Sequence, residues 1–185
     1  YYYLYVMLDI FSRYVVGWLL AERETSTLAE LLIREACAKQ QIQADQLTIH
    51  ADRGTSMKSK PVALLMADLG IAKSHSRPRV SDDNPFSESQ FKTLKHHPDF
   101  PERFGGLADA RAFCCRFFDW YNREHRHSGL GLLTPQMVHE GRTQQILDAR
   151  QRVLFDAYKV FPERFVRKPP APLAPPTEVW INRPS

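Results

Sequence analysis

The sequence is poor in cysteine, in surplus charge and in long apolar runs. No stretch of its 185 residues is apolar over a length that could cross a bilayer, so no membrane span is expected. Cys37, Cys114 and Cys115 form an odd set with two adjacent members, which indicates reduced thiols in a cytosolic protein rather than a disulfide framework. The formal net charge of +4 only weakly favours a polyanionic partner such as nucleic acid.

The rest of the composition is ordinary for a globular protein, with 43% hydrophobic residues. A chain of this length fits one α/β domain with an appendage. Tyr1 opens within an apolar run, and neither a Met nor a signal-peptide pattern precedes that run. We therefore expect a fragment whose beginning is missing.

The segment Asn84–Lys95, NPFSESQFKTLK, has the pattern of a helix start. Asn84 is a favourable N-cap whose side-chain oxygen can accept an N–H bond, and Pro85 suits the first helical position because its missing donor would be unpaired there. Helical spacing gives this segment one exposed, charged stripe, formed by Glu88, Lys92 and Lys95. The neighbouring face is suited to packing and carries Phe91 and Leu94. One carboxylate therefore lies a turn before two ammonium groups.

A second acidic residue lies at the end of a predicted strand. Asp52 follows the apolar run Leu47–Ile49 and precedes a turn at Arg53-Gly54. Thirty-five residues separate Asp52 from Glu88. Two carboxylates brought together by a strand end and a helix start can hold Mg²⁺ or Mn²⁺, which are hard ions that prefer oxygen ligands.

Periodicity predicts alternating strands and helices, which is typical of a mixed α/β fold. The strands are predicted at 1–8, 14–20, 46–50 and 71–74. The first helix is predicted to run from a cap at Thr25 or Ser26 to about 39 and the second from Ser59 or Lys60 to 69, and further helices are predicted at 85–95, 107–124, 135–139 and 144–160. Residues 75–84 lack this periodicity and should form an exposed loop that carries Arg77 and Arg79. Seven of the thirteen prolines follow Phe161, which predicts an extended tail with a short strand at 179–181.

Four motifs in a fixed order run through the chain: YLYVMLDIFSRYVVGW, HADRG, DNPFSESQFKTLK and WYNREHRHSGLGLLTP. Together they resemble bacterial insertion-sequence transposases with a catalytic core of the retroviral integrase type. The resemblance implies a ribonuclease-H-like fold, a mixed sheet flanked by helices. In that family the first catalytic Asp lies on a strand before the first motif, and we expect this chain to lack that strand. The predicted domains are the integrase core at 1–142, a helical extension at 143–160 and a Pro-rich tail at 161–185.

The resemblance also implies the chemistry, which is metal-dependent phosphodiester cleavage followed by strand transfer during DNA transposition. Asp52 and Glu88 would be catalytic and would bind two Mg²⁺ or Mn²⁺ ions. The residues expected to contact DNA are Lys92, Lys95, Arg77, Arg79, Arg123 and Arg126. The expected partners are element ends, target DNA and further copies of the chain, in the bacterial cytoplasm at the nucleoid. Without the upstream Asp strand, residues 1–185 are expected to be inactive.

Simpler interpretations apply to each residue taken alone. An Asp at a strand end is usually a turn residue, and a Glu four before a Lys is usually a solvated pair worth about 0.2–0.5 kcal/mol. Asp9 is expected to support a turn rather than to bind metal. His125 and His127 lack zinc spacing and, with Arg123 and Arg126, would contact either DNA phosphates or solvent. The alternatives for the whole chain are a nuclease of the same fold that does not join ends, and a non-catalytic DNA-binding remnant.

Overall fold

The computed structural model of the protein describes residues 1–51, 56–75, 84–166 and 168–181. The strands in these ranges are β1 (Tyr3–Leu8), β2 (Val15–Ala21), β3 (Thr48–Ala51) and β4 (Ala72–His75). The helices are α1 (Ser26–Lys39), α2 (Lys60–Asp68), α3 (Pro85–Lys95), α4 (Leu107–Arg123), α5 (Pro135–His139) and α6 (Thr143–Val160), with 3₁₀ turns at Ser128–Leu130 and Pro162–Arg164. The predicted mixed α/β order is confirmed.

The described strands form two sheets of two strands each. β1 and β2 pair antiparallel as the predicted hairpin, with Tyr3 opposite Ala21. β3 and β4 pair in parallel, with Ala51 opposite His75 at their carboxyl ends. Because parallel strands need a crossover connection, α2 runs between them and completes a βαβ unit. The carboxyl ends of β3 and β4 therefore lie at the same sheet edge.

Side-chain caps start three helices where the sequence predicts them. The cap bonds run from the backbone N–H of Leu28 to Thr25 Oγ1 (3.3 Å), from that of Val62 to Ser59 Oγ (3.5 Å) and from that of Met137 to Thr134 Oγ1 (3.3 Å). Asn84 occupies the N-cap position of α3, but its side chain makes no cap bond, so that part of the prediction is wrong. Its ψ of 53° is not the extended backbone that directs an N-cap side chain at the helix N–H groups.

The chain divides into two compact units, and the first comprises Tyr1–Asp9, Val15–Phe117 and the residues from Trp180 onward. Its buried cluster joins α1 and α2 and consists of Ala29, Ile33, Cys37, Val62, Leu65, Met66 and Ile71. Partly buried side chains of both sheets pack on that cluster, among them Tyr5 and Met7 of β1 and Ile49 of β3. The two sheets of this unit therefore share one core.

The second unit comprises Ile10–Tyr14 and Phe118–Val179. Its apolar cluster consists of Leu130, Leu133 and Val138, with Met137 and Ile146 packed against it. Polar residues of the turn after β1 are also buried here, since Ser12 is fully buried and Arg13 is 9% exposed. A short turn and a distant part of the sequence thus form one unit.

Helix α6 and the tail pack on the loop that follows the first 3₁₀ turn. The Arg150 guanidinium donates to the carbonyl oxygens of Gly131 (2.7 Å) and Leu132 (2.8 Å), and Gln151 Nε2 donates to the Pro170 carbonyl oxygen (3.0 Å). The predicted strand at 179–181 is wrong, because a strand needs a ladder partner and these residues pair with none of the described strands. None of the described helices combines the length and the apolar character that crossing a bilayer demands.

Gly131→Ala is expected to destabilise the second unit more than the control Gly141→Ala. Both glycines have a positive φ, 61° and 71°, so each alanine carries similar left-handed strain of about 1–2 kcal/mol. Only the Cβ added at residue 131 meets another backbone segment, the Leu173 carbonyl, whereas the one at residue 141 points into open space. Calorimetry should show the larger drop in melting temperature for Gly131→Ala. Equal drops would contradict this docking of the tail.

Candidate functional site

The end of β3 is one border of the predicted acidic site. His50 Nδ1 lies 2.9 Å from Ser74 Oγ on the neighbouring strand, and this contact joins β3 to β4 one residue before β3 ends at Ala51. Asp52 is the next residue in the sequence and lies outside the described residues, as do Arg77 and Arg79. The structure therefore defines the strand that leads to Asp52, and the metal-binding role of Asp52 stays a prediction.

Glu88 lies in the first turn of α3 and is exposed, as the sequence predicts. Its carboxylate makes no hydrogen bond or ion pair to any described residue, and Lys92 and Lys95 on the same helix are likewise exposed and unpaired within that part of the chain. Glu88 and Lys92 therefore do not form the ion pair that the simpler interpretation of this helix expects. A carboxylate at this position is favoured by the positive end of the helix dipole.

The packing face of α3 includes one residue that the prediction missed. Leu94 is buried as expected, whereas Phe91 is only half-buried and Gln90 is 1% exposed. Neither the Nε2 nor the Oε1 atom of Gln90 has a hydrogen-bond partner among the described residues. Sequence reasoning missed Gln90 because its side chain is polar, although residue 90 lies one turn before Leu94 on the same face of the helix. A buried amide without partners is unusual in a folded protein and indicates a missing polar neighbour.

The donor chemistry of this region fits a hard divalent cation. Glu88 offers two carboxylate oxygens at an exposed position, and carboxylate oxygens are the ligands that Mg²⁺ and Mn²⁺ prefer. Among the described residues, no group of three or more His, Cys, Asp or Glu side chains comes together as a metal site. Glu88 would therefore need carboxylates from outside the described ranges, of which Asp52 is the candidate.

The motif WYNREHRHSG divides into exposed arginines and half-buried histidines. Arg123 is exposed and forms an ion pair with Asp119 (3.1 Å) one turn earlier on α4. Arg126 is exposed, and its guanidinium contacts Met137 Sδ at 3.7 Å. His125 stacks on Tyr121 with 5.3 Å between ring centroids. The two arginines are therefore accessible to a phosphate, whereas the histidine belongs to the packing of the unit.

His127 is held in its neutral form. Burial is the main cause that lowers its pKa to about 4, and the positive charges of Arg13 and His125 lower it further. The Gly129 N–H donates to His127 Nδ1 (3.1 Å), which requires an unprotonated Nδ1. His127 also pairs with Leu133 through a backbone bridge, and its own N–H donates to the Leu133 carbonyl oxygen (3.1 Å). This histidine shapes the loop and carries no charge near neutral pH.

The turn of the LDIFSR motif packs on the same unit. The Tyr14 ring stacks on His139 with 4.4 Å between centroids, and Ser12 Oγ lies 3.3 Å from His139 Nδ1. Arg13 adopts a φ of 62°. Burial raises the pKa of Tyr121 to about 12, and the nearby positive charge of Arg13 offsets part of that rise. The turn of the first sequence motif and the whole of the fourth motif thus lie in one folded unit, a juxtaposition that no local pattern indicates.

Comparison with known proteins identifies the fold and the family. Two family models, both described as an integrase core domain, match residues 1–81 and 69–135. The catalytic core domain of the integrase from BIV superposes with a TM-score of 0.56 at 18% identity, over 77% of this chain and 88% of that one. The HTLV-2 integrase catalytic core domain in complex with magnesium gives a TM-score of 0.53 at 18% identity, over 75% and 83%. The fold is therefore the ribonuclease-H-like fold of retroviral integrase cores.

Bacterial relatives are closer in sequence. The transposase for insertion sequence element IS904 of Lactococcus lactis is 32% identical over 135 residues, which is 72% of this chain and 53% of that protein. Transposase InsF for insertion sequence IS3A of Escherichia coli is 30% identical over 72% of this chain and 46% of its own length. The chain thus spans about half the length of the curated relatives it matches. It belongs to the integrase core domain family.

The low pKa of His127 makes the stability of the fold depend on pH. Unfolding restores a pKa near the ordinary 6.5, so the unfolded chain binds the proton first as the pH falls. The free energy of unfolding is therefore unaffected by this group above about pH 6.5, and it falls by on the order of 2 kcal/mol as the pH is lowered toward 4. His127→Asn, which keeps an acceptor for Gly129, should flatten this dependence in urea denaturation measured from pH 7 to pH 4. The same substitution at exposed His96 is the control, and an equal effect of both would contradict this origin.

Proposed function

We propose that the protein containing this chain is a DNA transposase that cleaves phosphodiester bonds at element ends and joins them to target DNA. Membership of the integrase core domain family supports this proposal, together with relatives whose names are transposases of insertion sequences. The observation that carries it is the exposed Glu88 carboxylate, which has no partner among the described residues and shares its helix with Lys92 and Lys95. A DNA substrate would place the protein at the nucleoid, in the bacterial cytoplasm.

In this proposal Glu88 and Asp52 hold Mg²⁺ or Mn²⁺. Bound divalent cations supply Lewis-acid polarisation of the scissile phosphate. Glu88 contributes oxygen ligands from a fixed helical position, because α3 is anchored by the buried side chain of Leu94. Lys92 and Lys95 follow it on the exposed side and would bind phosphates of the element end, which fixes the position of the DNA without reading its sequence.

Further contacts to DNA are proposed for the exposed arginines. Arg123 and Arg126 lie on or next to the end of α4, and Arg77 and Arg79 would act from outside the described residues. Arg123 would have to exchange its ion pair with Asp119 for a phosphate, a small cost because both side chains are more than half exposed. Assembly of several copies on paired DNA ends is proposed in addition, and the dimeric HTLV-2 integrase core in complex with magnesium supports it.

Asp52→Asn and Glu88→Gln are each expected to abolish cleavage by the full-length protein of a labelled duplex that carries the element end. The loss should be at least about 100-fold, because metal polarisation of the phosphate contributes several kcal/mol to the transition state. Glu35→Gln is the matched control, an exposed helical glutamate on α1. Strand-transfer products distinguish a transposase from a nuclease of the same fold. Full activity in either acidic-site variant would refute the proposal.

We also propose that a further strand, from outside residues 1–185, completes the site with a third carboxylate. Two observations support this strand. The described strands form two separate sheets over one core, and the buried carboxamide of Gln90 lacks partners among the described residues. Backbone N–H and C=O groups of an added strand are partners that such an amide needs. Residues 1–185 alone are therefore proposed to be catalytically inactive.

The effect of Gln90→Leu on stability should change sign between residues 1–185 and the full-length protein. In residues 1–185 the substitution removes two buried atoms that lack partners in the described part of the chain, and it should raise the free energy of unfolding by about 1–3 kcal/mol. In the full-length protein it leaves the partners of Gln90 unpaired and should lower that free energy by a similar amount. Urea denaturation measures both, with Gln145→Leu at an exposed site on α6 as control. The same sign in both proteins would contradict the added strand.

A further inference from the structure

Helix α6 is the longest helix among the described residues, and none of its eighteen residues is buried. Its inner side is only half-buried against its own unit and includes Leu147, Leu154 and Tyr158. Isolated helices of this length are marginal in water, and most helices are stabilised by packing an apolar face against a neighbour. The part of the chain that the structure describes therefore gives α6 less packing than a helix of this length normally has.

The outer side of α6 carries an exposed apolar stripe. Ile146, Val153 and Val160 recur every seven residues, and Ala149 and Ala157 lie between them on the same side. Val153 is 70% exposed and Val160 is 66% exposed. β-branched residues at a spacing of seven are the pattern by which one helix packs along another. The stripe therefore has the form of a helix–helix contact whose second helix is not among the described residues.

The stripe borders an open groove of about 710 Å³. The opposite wall of the groove is formed by Leu132, Met137 and, from the tail, Leu173. Leu132 and Leu173 are themselves 48% and 67% exposed. Exposed apolar surface thus continues from the stripe across the groove, and a contiguous patch of this kind marks an interaction site. A partner on α6 would cover these leucines as well.

A row of four charges runs along the solvent edge of the stripe. Asp148, Arg152, Asp156 and Lys159 are all exposed and follow one another at about one turn, with alternating sign. In an antiparallel helix pair the same edge of each helix faces the other copy, so every charge of this row meets its opposite. A parallel pair would instead bring this edge against the inner side of the second helix, which packs on its own unit. Edge charges set the choice and orientation of a partner helix, and this row fits a second copy of itself.

The present contacts of this charge row are easily exchanged. Lys159 Nζ lies 3.5 Å from Asp156 Oδ1, and the two side chains are 60% and 74% exposed. Gln144 Nε2 donates to Asp148 Oδ1 (2.7 Å), and Arg152 Nε donates to the Asp148 carbonyl oxygen (3.4 Å). Exposed ion pairs within a helix contribute little to stability. The four side chains can therefore turn to a partner at small cost.

We propose that α6 is a contact between two copies of this chain, in which the α6 helices pack antiparallel along their apolar stripes. The two-fold axis crosses the middle of the helix, near Leu154. Arg152 then faces Asp156 of the partner subunit, and Asp148 faces Lys159 of the partner subunit. A contact of this symmetry makes each interaction twice and closes the assembly as a dimer. The pairing needs neither DNA nor a cation, so it goes beyond the proposed function.

Charge reversal tests the orientation in the full-length protein, without DNA and without divalent cations. Arg152→Glu brings like charges together at both symmetry-related positions, so we expect the dissociation constant of the dimer to rise at least about tenfold. Adding Asp156→Arg exchanges the two charges and should restore the constant to within about threefold. Arg103→Glu, at an exposed arginine of the first unit, is the control. Sedimentation velocity over a range of protein concentrations measures the constant.

Disulfide cross-linking tests the contact itself and leaves the charge row intact. Val153→Cys lies next to the axis and is combined with Cys115→Ser, because Cys115 is the exposed native thiol among the described residues. Oxidation with diamide should join two copies, since thiols near the axis of an antiparallel pair come within disulfide reach. Gln144→Cys in the same background is the control, because this exposed residue lies on another side of α6. Cross-linking should persist when Glu88→Gln is added, since the pairing does not depend on the catalytic site.

Three results would each overturn the pairing. If Val153→Cys cross-links no more than the control, another segment or another protein covers the stripe. If Arg152→Glu leaves the dissociation constant unchanged, the charge row makes no contact between copies. If the double variant does not recover, the helices are not antiparallel. Circular dichroism shows whether each variant is folded, and the cross-link decides where a charge variant is not.

Discussion

The first unit depends on one shared apolar core between its two sheets and the helices α1 and α2. Tyr5 and Met7 of β1 and Ile49 of β3 all contact it, so both sheets are aligned on the same pair of helices. The side chains of a strand alternate between faces, and a shift of β3 by one residue would turn His50 into that core. The position at which β3 ends is therefore fixed by burial as much as by its parallel hydrogen bonds to β4.

Helices with local start signals were the part of the fold most readily predicted from sequence. Thr25, Ser59 and Thr134 each have a side-chain oxygen that can replace a missing backbone partner, and all three cap the predicted helix. Features that depend on distant partners could not be predicted in this way. Ser12 is buried because it meets a histidine more than a hundred residues later, and the burial of Gln90 contradicts the polar nature of its side chain.

The candidate site, too, could be predicted only where local sequence decides the outcome. Sequence reasoning correctly expected Glu88 on an exposed stripe, because three residues of one helix share a face by geometry alone. It treated the arginines and histidines of WYNREHRHSG as one basic group, but burial separates them. His127 is neutral and organises a loop, whereas Arg126 stays exposed.

The second unit is assembled from both ends of the sequence, and this has a consequence for synthesis on the ribosome. Its turn, Ile10–Tyr14, is translated well before Phe118–Val179, and the Gly131 loop receives its contact from Leu173 only after α6 has been translated. Domains fold as their residues emerge, so this unit cannot close before Leu173 has left the ribosome. The nascent chain must therefore carry the turn without its later partners while the whole of the first unit's segment Val15–Phe117 is translated.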